Sequence, residues 1–364
     1  MRSRMSKAAL VALAMAAGSL SLSAAAQTPS AVEKIANYRG ADRAQMLLEG
    51  AKKEGKVVFY SGMIANQALR PLMAGFSKKY PFIKAQYVRL GPSEMLQKVT
   101  AEGNANQFAV DVFENVGVEV ASRQANLNIP FWSPEIKSYP EQFRSEPTYW
   151  VPVRYNYLGP AYNTTMVAEA DVPKSYDDLL DPKWKGKMAW SNSLQGAVLF
   201  ITGVRVAMGE EKAMQYLEKL SKQNIALIAS SPRTVVDRVI AGEYAIALSI
   251  FLHHPVLDQK KGAPVKPLPL DPVVSTVSGI MLARTPPNPH AAMLLIDYIL
   301  SAEGQEILRD AEYFPVRSDV SAMDTLNVVV PQKINMKENY LSPEKTSAEL
   351  KRSTEILESL FSGK

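Results

Sequence analysis

The sequence predicts an α/β protein built as two lobes, and three observations carry that reading. A strand–turn–helix unit occurs twice in fewer than fifty residues, which marks a parallel sheet with crossover helices. The chain has 364 residues, or 338 once a removable leader of 26 is set aside, too many for one comfortable core. Beyond that leader no apolar run is uninterrupted over a membrane-spanning length, so the apolar residues are expected to fill the lobes.

The leader is the most readable segment. Arg2, Arg4 and Lys7 form a positive start, an apolar stretch runs from Ala8 to about Leu22, and Ala24-Ala25-Ala26 offers small residues for a signal peptidase. The stretch is too short and too rich in Ala, Gly and Ser for a good span. Cleavage is expected between Ala26 and Gln27, with export to the periplasm. The chain has no cysteine, so neither a lipid anchor at the new terminus nor a disulfide is expected. Removing three positive charges takes the net charge from +5 to +2, and no concentrated Lys/Arg stripe of a nucleic-acid binder remains.

The elements follow in order. Residues 41–53 read as a helix, with Ala41, Ala44, Leu47, Leu48 and Ala51 on one side, broken by Gly55-Lys56. Val57-Val58-Phe59-Tyr60 is a short buried strand of the parallel type, ended by Ser61-Gly62. Residues 66–79 return to helical spacing, 83–90 form a second strand, and Gly91-Pro92-Ser93 turns it into a helix over 94–102. A third strand is expected over 110–113. Residues 150–162 form a long extended stretch, a plausible passage between lobes. Then come a surface helix over 175–180, a strand over 187–190, the polar loop Ser191–Gly196, helices over 197–208 and 210–223, and a strand over 225–229. The turn Ser230-Ser231-Pro232 opens a helix over 233–241, followed by strands over 244–250 and 277–282 and helices over 290–300 and 301–308. Ser342 as N-cap and Pro343 at the first helical position open the last helix, to about Phe361.

Four stretches then carry a resemblance. They are Gly55-Lys56-Val57-Val58-Phe59-Tyr60-Ser61-Gly62; Tyr162-Asn163-Thr164 with Val172-Pro173-Lys174-Ser175-Tyr176-Asp177-Asp178-Leu179-Leu180-Asp181-Pro182-Lys183-Trp184-Lys185-Gly186-Lys187; Ala241-Gly242-Glu243-Tyr244-Ala245-Ile246-Ala247-Leu248; and Ile296-Asp297-Tyr298-Ile299-Leu300-Ser301-Ala302-Glu303-Gly304-Gln305. Together they resemble the solute-binding proteins of bacterial ABC importers, in the group that includes ferric-iron and organophosphate binders. The second is very specific and the fourth is common to many solute-binding proteins.

The resemblance implies a type II periplasmic binding fold, two Rossmann-like lobes joined by a hinge with a ligand cleft between them. It implies a first lobe of residues 27–152 with a return segment at 265–315, a second lobe of 153–264, and C-terminal helices in 316–364 packing on the second lobe. The implied partners are a small-molecule ligand and an inner-membrane permease of an ABC importer. No nucleic acid, no membrane span of its own and no cofactor are expected, and the protein is expected to be a monomer.

In open α/β sheets, ligands sit beyond the carboxyl ends of strands, where loops feed helix N-termini. Four turns there are polar and small: Ser61-Gly62, Gly91-Pro92-Ser93, Ser191-Asn192-Ser193-Leu194-Gln195-Gly196 and Ser230-Ser231. Each offers N–H groups and hydroxyls to an anion, and each could equally be a helix cap and nothing more. By resemblance, Gln195-Gly196-Ala197 falls where ferric binders hold a carbonate or phosphate on a helix start. Arg154, in the passage between lobes, is the sharpest polar candidate, because a guanidinium grips a carboxylate or phosphate bidentately, and a surface position serves as well to explain it. Arg233 is a second anion candidate. Tyr155 can flank a ligand or simply pack.

Ferric members of the group use adjacent tyrosines just after the segment matching Ala245–Leu248, because phenolates suit iron(III). This chain has Ser249-Ile250-Phe251-Leu252-His253-His254-Pro255 instead. Read on a strand, the two histidines point to opposite faces, so one of them is expected at the cleft, with His253 the candidate, and no metal is expected. No G-x-S-x-G, H-E-x-x-H, P-loop or dinucleotide fingerprint occurs, and three histidines leave little choice of catalytic base. The expectation is a receptor for a small organic anion, a carboxylate or an organophosphate, and not an enzyme. A ferric-iron binder is the alternative, and an exported α/β enzyme the next.

Overall fold

The structure, a computed structural model, describes residues 30–144 and 147–362. The expected signal peptide, residues 1–26, lies outside the described residues.

The first half of the chain gives α1 (Ala31–Ala36), α2 (Arg43–Glu54), β1 (Lys56–Ser61), α3 (Arg70–Lys79), β2 (Lys84–Arg89), α4 (Pro92–Asn104), β3 (Val112–Asn115), α5 (Glu119–Gln124), β4 (Asn128–Ile129) and β5 (Val151–Asn163). Next come β6 (Met188–Ser191), α6 (Leu199–Met208), α7 (Glu210–Ser221), β7 (Ala226–Ile228), α8 (Pro232–Ile240), β8 (Ile246–Phe251) and α9 (His253–Lys260). The remainder is β9 (Val265–Pro267), β10 (Val273–Ala283), α10 (Pro289–Leu300), α11 (Ala302–Asp310), β11 (Phe314–Pro315), β12 (Glu338–Tyr340) and α12 (Pro343–Phe361).

The main path of the sheet runs β2-β1-β3-β10-β5-β8-β6-β7. β1 is parallel to β2 and β3 at one end, and β6 is parallel to β7 and β8 at the other. Between these parallel sets lie the two longest strands, β5 and β10, antiparallel to each other. They carry the chain from one half to the other. β5 is buried along almost its whole length, and its two prolines sit where the ladder is irregular. Pro152 lies opposite Gly279 beside a bulge at Ser278/Gly279, and Pro160 lies in the register shift between Gly159 and Ala161. A proline lacks the N–H that a regular ladder uses, so these are the positions that tolerate it.

Each half buries its own core. β1 alternates, with Val57 and Phe59 packing among Leu47, Leu72, Phe76 and Leu295, and Val58 and Tyr60 packing among Met95, Val99 and Phe113. Burial on both faces explains why this strand reads as a continuous apolar run. In the other half Trp190, Phe200, Leu217 and Leu248 share a cluster with Ile356, Leu357 and Phe361 of α12. The Trp190 and Phe361 rings lie edge to face with centroids 4.8 Å apart. Ser342 caps α12 by accepting the Lys345 N–H at 3.2 Å, with Pro343 at the first helical position.

Two expected elements differ. The strand expected over 244–250 is present as β8, but the histidine pair that follows it, read as strand, instead opens α9 at His253. Pro255 falls in the first turn of that helix, where its missing N–H has no intrahelical use. The expected helix over 175–180 is a single 3₁₀ turn, Asp177–Leu180.

Candidate functional site

The parallel strands of both halves end at one place. Gly62 follows β1, Arg89 closes β2, Gln195 follows β6, Ser231 follows β7, and Phe251 closes β8. All five line one cavity of about 40 Å³. Arg154 from β5, Arg233 from α8 and His254 from α9 complete its polar wall, and Ile64, Pro232 and Tyr313 add apolar surface.

Arg154 is buried and paired. It donates Nε–H and Nη2–H to Glu114 Oε1 at 3.3 and 3.1 Å. Glu114 Oε2 accepts the Ser61 hydroxyl at 2.7 Å and the Gly62 N–H at 3.3 Å. The Arg154 guanidinium also lies 4.7 Å over the Tyr313 ring, and Tyr313 Oη accepts the Ile64 N–H at 3.1 Å. Arg154 is therefore held by two side chains, Glu114 and Tyr313, before any ligand arrives, which departs from an arginine projecting freely into an open cleft. Arg233 is braced by Asp237, 2.6 Å from Nη2, and by Asp258, 2.7 Å from Nη1. Arg89 is exposed, and among the described residues it makes no ion pair.

The histidines need correcting. His253 and His254 occupy the first turn of a helix, not a strand, and both are buried with ring centroids 4.3 Å apart. His254 lines the cavity, whereas His253 packs edge-on against Tyr313 behind the wall. Burial first, then the positive charge of Arg233, Arg154 and Arg89, pushes His254 down to about 3. Burial, with His254 next to it, holds His253 well below its usual range. Both imidazoles are neutral at neutral pH.

Among the other expected residues, Gly62, Arg154, Gln195, Ser231 and Arg233 reach the cavity wall. Ser61 stands one contact behind it, on Glu114. Ser191 is buried and donates its hydroxyl to the Ser230 carbonyl, while the Ser230 hydroxyl donates to Thr234 Oγ1 at 2.8 Å. Ser231 also caps α8. Ser93 and Asn192 are exposed and off the wall. Tyr155 stacks on Tyr157, centroids 6.4 Å apart, and takes no part in the cavity. Gly196 contributes closeness and not a contact, since a Cβ there would sit 2.4 Å from the Ser191 carbonyl oxygen.

Sequence reasoning missed Arg89, Tyr313 and the Glu114 partner. Arg89 had a usable signal, a cation at the last position of a strand just before Gly91-Pro92. Tyr313 had none.

The family described as "Bacterial extracellular solute-binding protein" matches residues 115–339, more than half of the chain. The chain belongs to that family. The solute-binding protein is 26% identical over 290 residues to the Fe(3+)-binding periplasmic protein of Serratia marcescens, covering 77% of this chain and 84% of that one. It is 27% identical over 183 residues to a putative 2-aminoethylphosphonate-binding periplasmic protein of Salmonella typhi, covering 48% and 53%. The periplasmic binding protein AfuA of Actinobacillus pleuropneumoniae, solved with exogenous fructose-6-phosphate bound, superposes with a TM-score of 0.73 at 23% identity over 84% of this chain and 98% of that one. The solute-binding protein thus shares its fold with type II periplasmic binding proteins. No helix among the described residues is long and apolar enough to cross a membrane.

Proposed function

We propose that this chain is the extracytoplasmic receptor of an ABC importer for a small anionic organic solute, a carboxylate or an organophosphate, which it delivers to the membrane permease. The observation that carries the reading is the convergence of Arg89, Arg154 and Arg233 on one cavity at the carboxyl ends of the strands. Guanidiniums are donors only, and their planar forks match the oxygens of carboxylate and phosphate. Arg154 and Arg233 are already oriented by carboxylates, so they lose little freedom on binding. Arg89 brings a charge that no carboxylate among the described residues pairs with.

The size of the cavity supports capture by closure. About 40 Å³ admits roughly three waters at about 10–15 Å³ each, room for the charged group of a solute and little else. A larger solute enters only if the halves part. The hinge of this reading lies along β5 and β10, with residues 27–152 and 265–315 as one lobe, 153–264 as the other, and 316–364 packed on the second.

Iron is disfavoured by the wall itself. Phe251, His253 and His254 stand where ferric relatives were expected to place tyrosines, and Tyr313 is the cavity's one tyrosine among the described residues. Burial raises its phenol above the ordinary range, against phenolate formation. A thermal-shift screen of the mature protein against carboxylates, organophosphates and ferric citrate tests the proposal, because a ligand of the native state raises its melting temperature by mass action. One class of anion should raise it. A rise with ferric citrate and none with citrate or any phosphate ester would overturn the reading.

A further inference from the structure

His254 is the imidazole on the cavity wall, and it is neutral while the cavity holds no anion. Its ring is enclosed by Phe251, 5.7 Å away and edge-on, and by His253, and its Nδ1 is buried with no hydrogen-bond partner. The charged groups of the cavity wall are Arg89 from β2, Arg154 from β5 and Arg233 from α8, with Asp258 on its own helix paired to Arg233. The two carboxylates nearby, Glu114 and Asp258, are committed to Arg154 and Arg233. His254 therefore faces positive charge with no counterion of its own among the described residues.

We propose that an anion entering this cavity brings a proton with it, and that His254 holds that proton. The inference rests on the anion reading above. Part of what keeps the imidazole neutral is the field of three guanidiniums, and that field is what a bound anion cancels. An opposite charge within about 4–6 Å favours a protonated imidazole by roughly 1–3 pKa units. As an imidazolium, His254 donates from both ring nitrogens, which suits a ligand that presents only acceptors. Anion and proton then bind with positive coupling, and each raises the affinity for the other by the same factor. The cavity gains a further positive charge only when an anion is inside, so it selects multiply charged anions over singly charged ones.

The test is calorimetric titration of the mature protein with sulfate, oxalate and inorganic phosphate at pH 6, in buffers of different ionisation enthalpy. Sulfate and oxalate take up almost no proton themselves at that pH, so uptake with them belongs to the protein. The expected result is fractional proton uptake, up to about half a proton per anion bound at pH 6, because a rise of roughly 1–3 units from about 3 brings the imidazole to about 4–6, with an affinity that falls as pH rises from 5 to 7.5. His254→Gln should lose both the uptake and the pH dependence. The ring signal of His254 in wild type, followed by NMR during the oxalate titration, should move to the imidazolium position, which keeps the test independent of how the variant folds. Binding without proton uptake, or uptake that persists in His254→Gln, overturns this proposal and leaves the anion reading standing. Binding of none of the three anions overturns both.

Discussion

Arg154 reaches Glu114 at 3.1 Å with both side chains buried, the arginine on β5 and the glutamate on the neighbouring half's β3. The pair joins a strand that crosses between the halves to the end of a parallel strand in one of them. It makes Arg154 a structural residue as well as a cavity residue, so substituting it disturbs stability and binding together.

Arg154→Ala should therefore destabilise the protein without any ligand. Removing one partner of a buried ion pair leaves the other charge desolvated and unpaired, at a cost of about 3–5 kcal/mol. Urea unfolding should show a loss of that size in Arg154→Ala and a smaller one in Arg154→Met combined with Glu114→Gln. An Arg154→Ala protein as stable as wild type would mean that Glu114 reaches water or another cation.

Stability should also fall on the alkaline side, through Glu119. Its side chain is fully buried, Oε1 accepts the Gly279 N–H at 2.9 Å beside the β10 bulge, and Oε2 has no partner. Burial pushes this carboxyl up to about 8. The folded state thus holds the proton more tightly than the unfolded chain does. The stabilisation is fully present below the unfolded value, near 4.5, and is lost as pH rises through about 8, a change on the order of several kcal/mol. Urea midpoints for wild type should drop between pH 5 and pH 9, and Glu119→Gln should flatten that slope. An unchanged slope in the variant would assign it to another group.

Iron gives a spectroscopic prediction. Mature protein mixed with ferric citrate should show no visible tyrosinate-to-iron band, because Tyr155 and Tyr157 stack on each other away from the cavity and Tyr313 is held protonated. A red or orange complex abolished by Tyr313→Phe would contradict this.

Much of the fold was legible because its signals are local. The Val57–Tyr60 run, the Ser342-Pro343 helix start and the turns at Gly91 and Ser231 each depend on residues close in sequence. The site was legible only in part, because it is assembled from the ends of strands distant in sequence. Ser231 and Arg233 could be found from a helix start, but Arg89 joins them only through the sheet order. α9 was missed because Pro255 reads as a strand terminator until a helix is known to begin two residues earlier. The two halves also share a related arrangement, β1–α3–β2–α4 and β6–α6–α7–β7–α8, the second with one helix more, and Pro92 and Pro232 each open a helix. No sequence repeat betrays it, since backbone geometry and burial are what the two halves share, and many residues satisfy both.

The anion site is tested most directly at Arg89, which makes no ion pair among the described residues and is exposed, so that its replacement should alter stability by no more than about 0.5 kcal/mol. Calorimetric titration of inorganic phosphate, or of the strongest carboxylate or organophosphate from the screen, into wild type and Arg89→Glu measures what its charge contributes. Charge reversal should weaken binding by about thirtyfold or more, or roughly 2 kcal/mol at 1.4 kcal/mol per decade, with the urea midpoint unchanged. Equal affinity in the two proteins would contradict the claim that this cavity is where the anion binds.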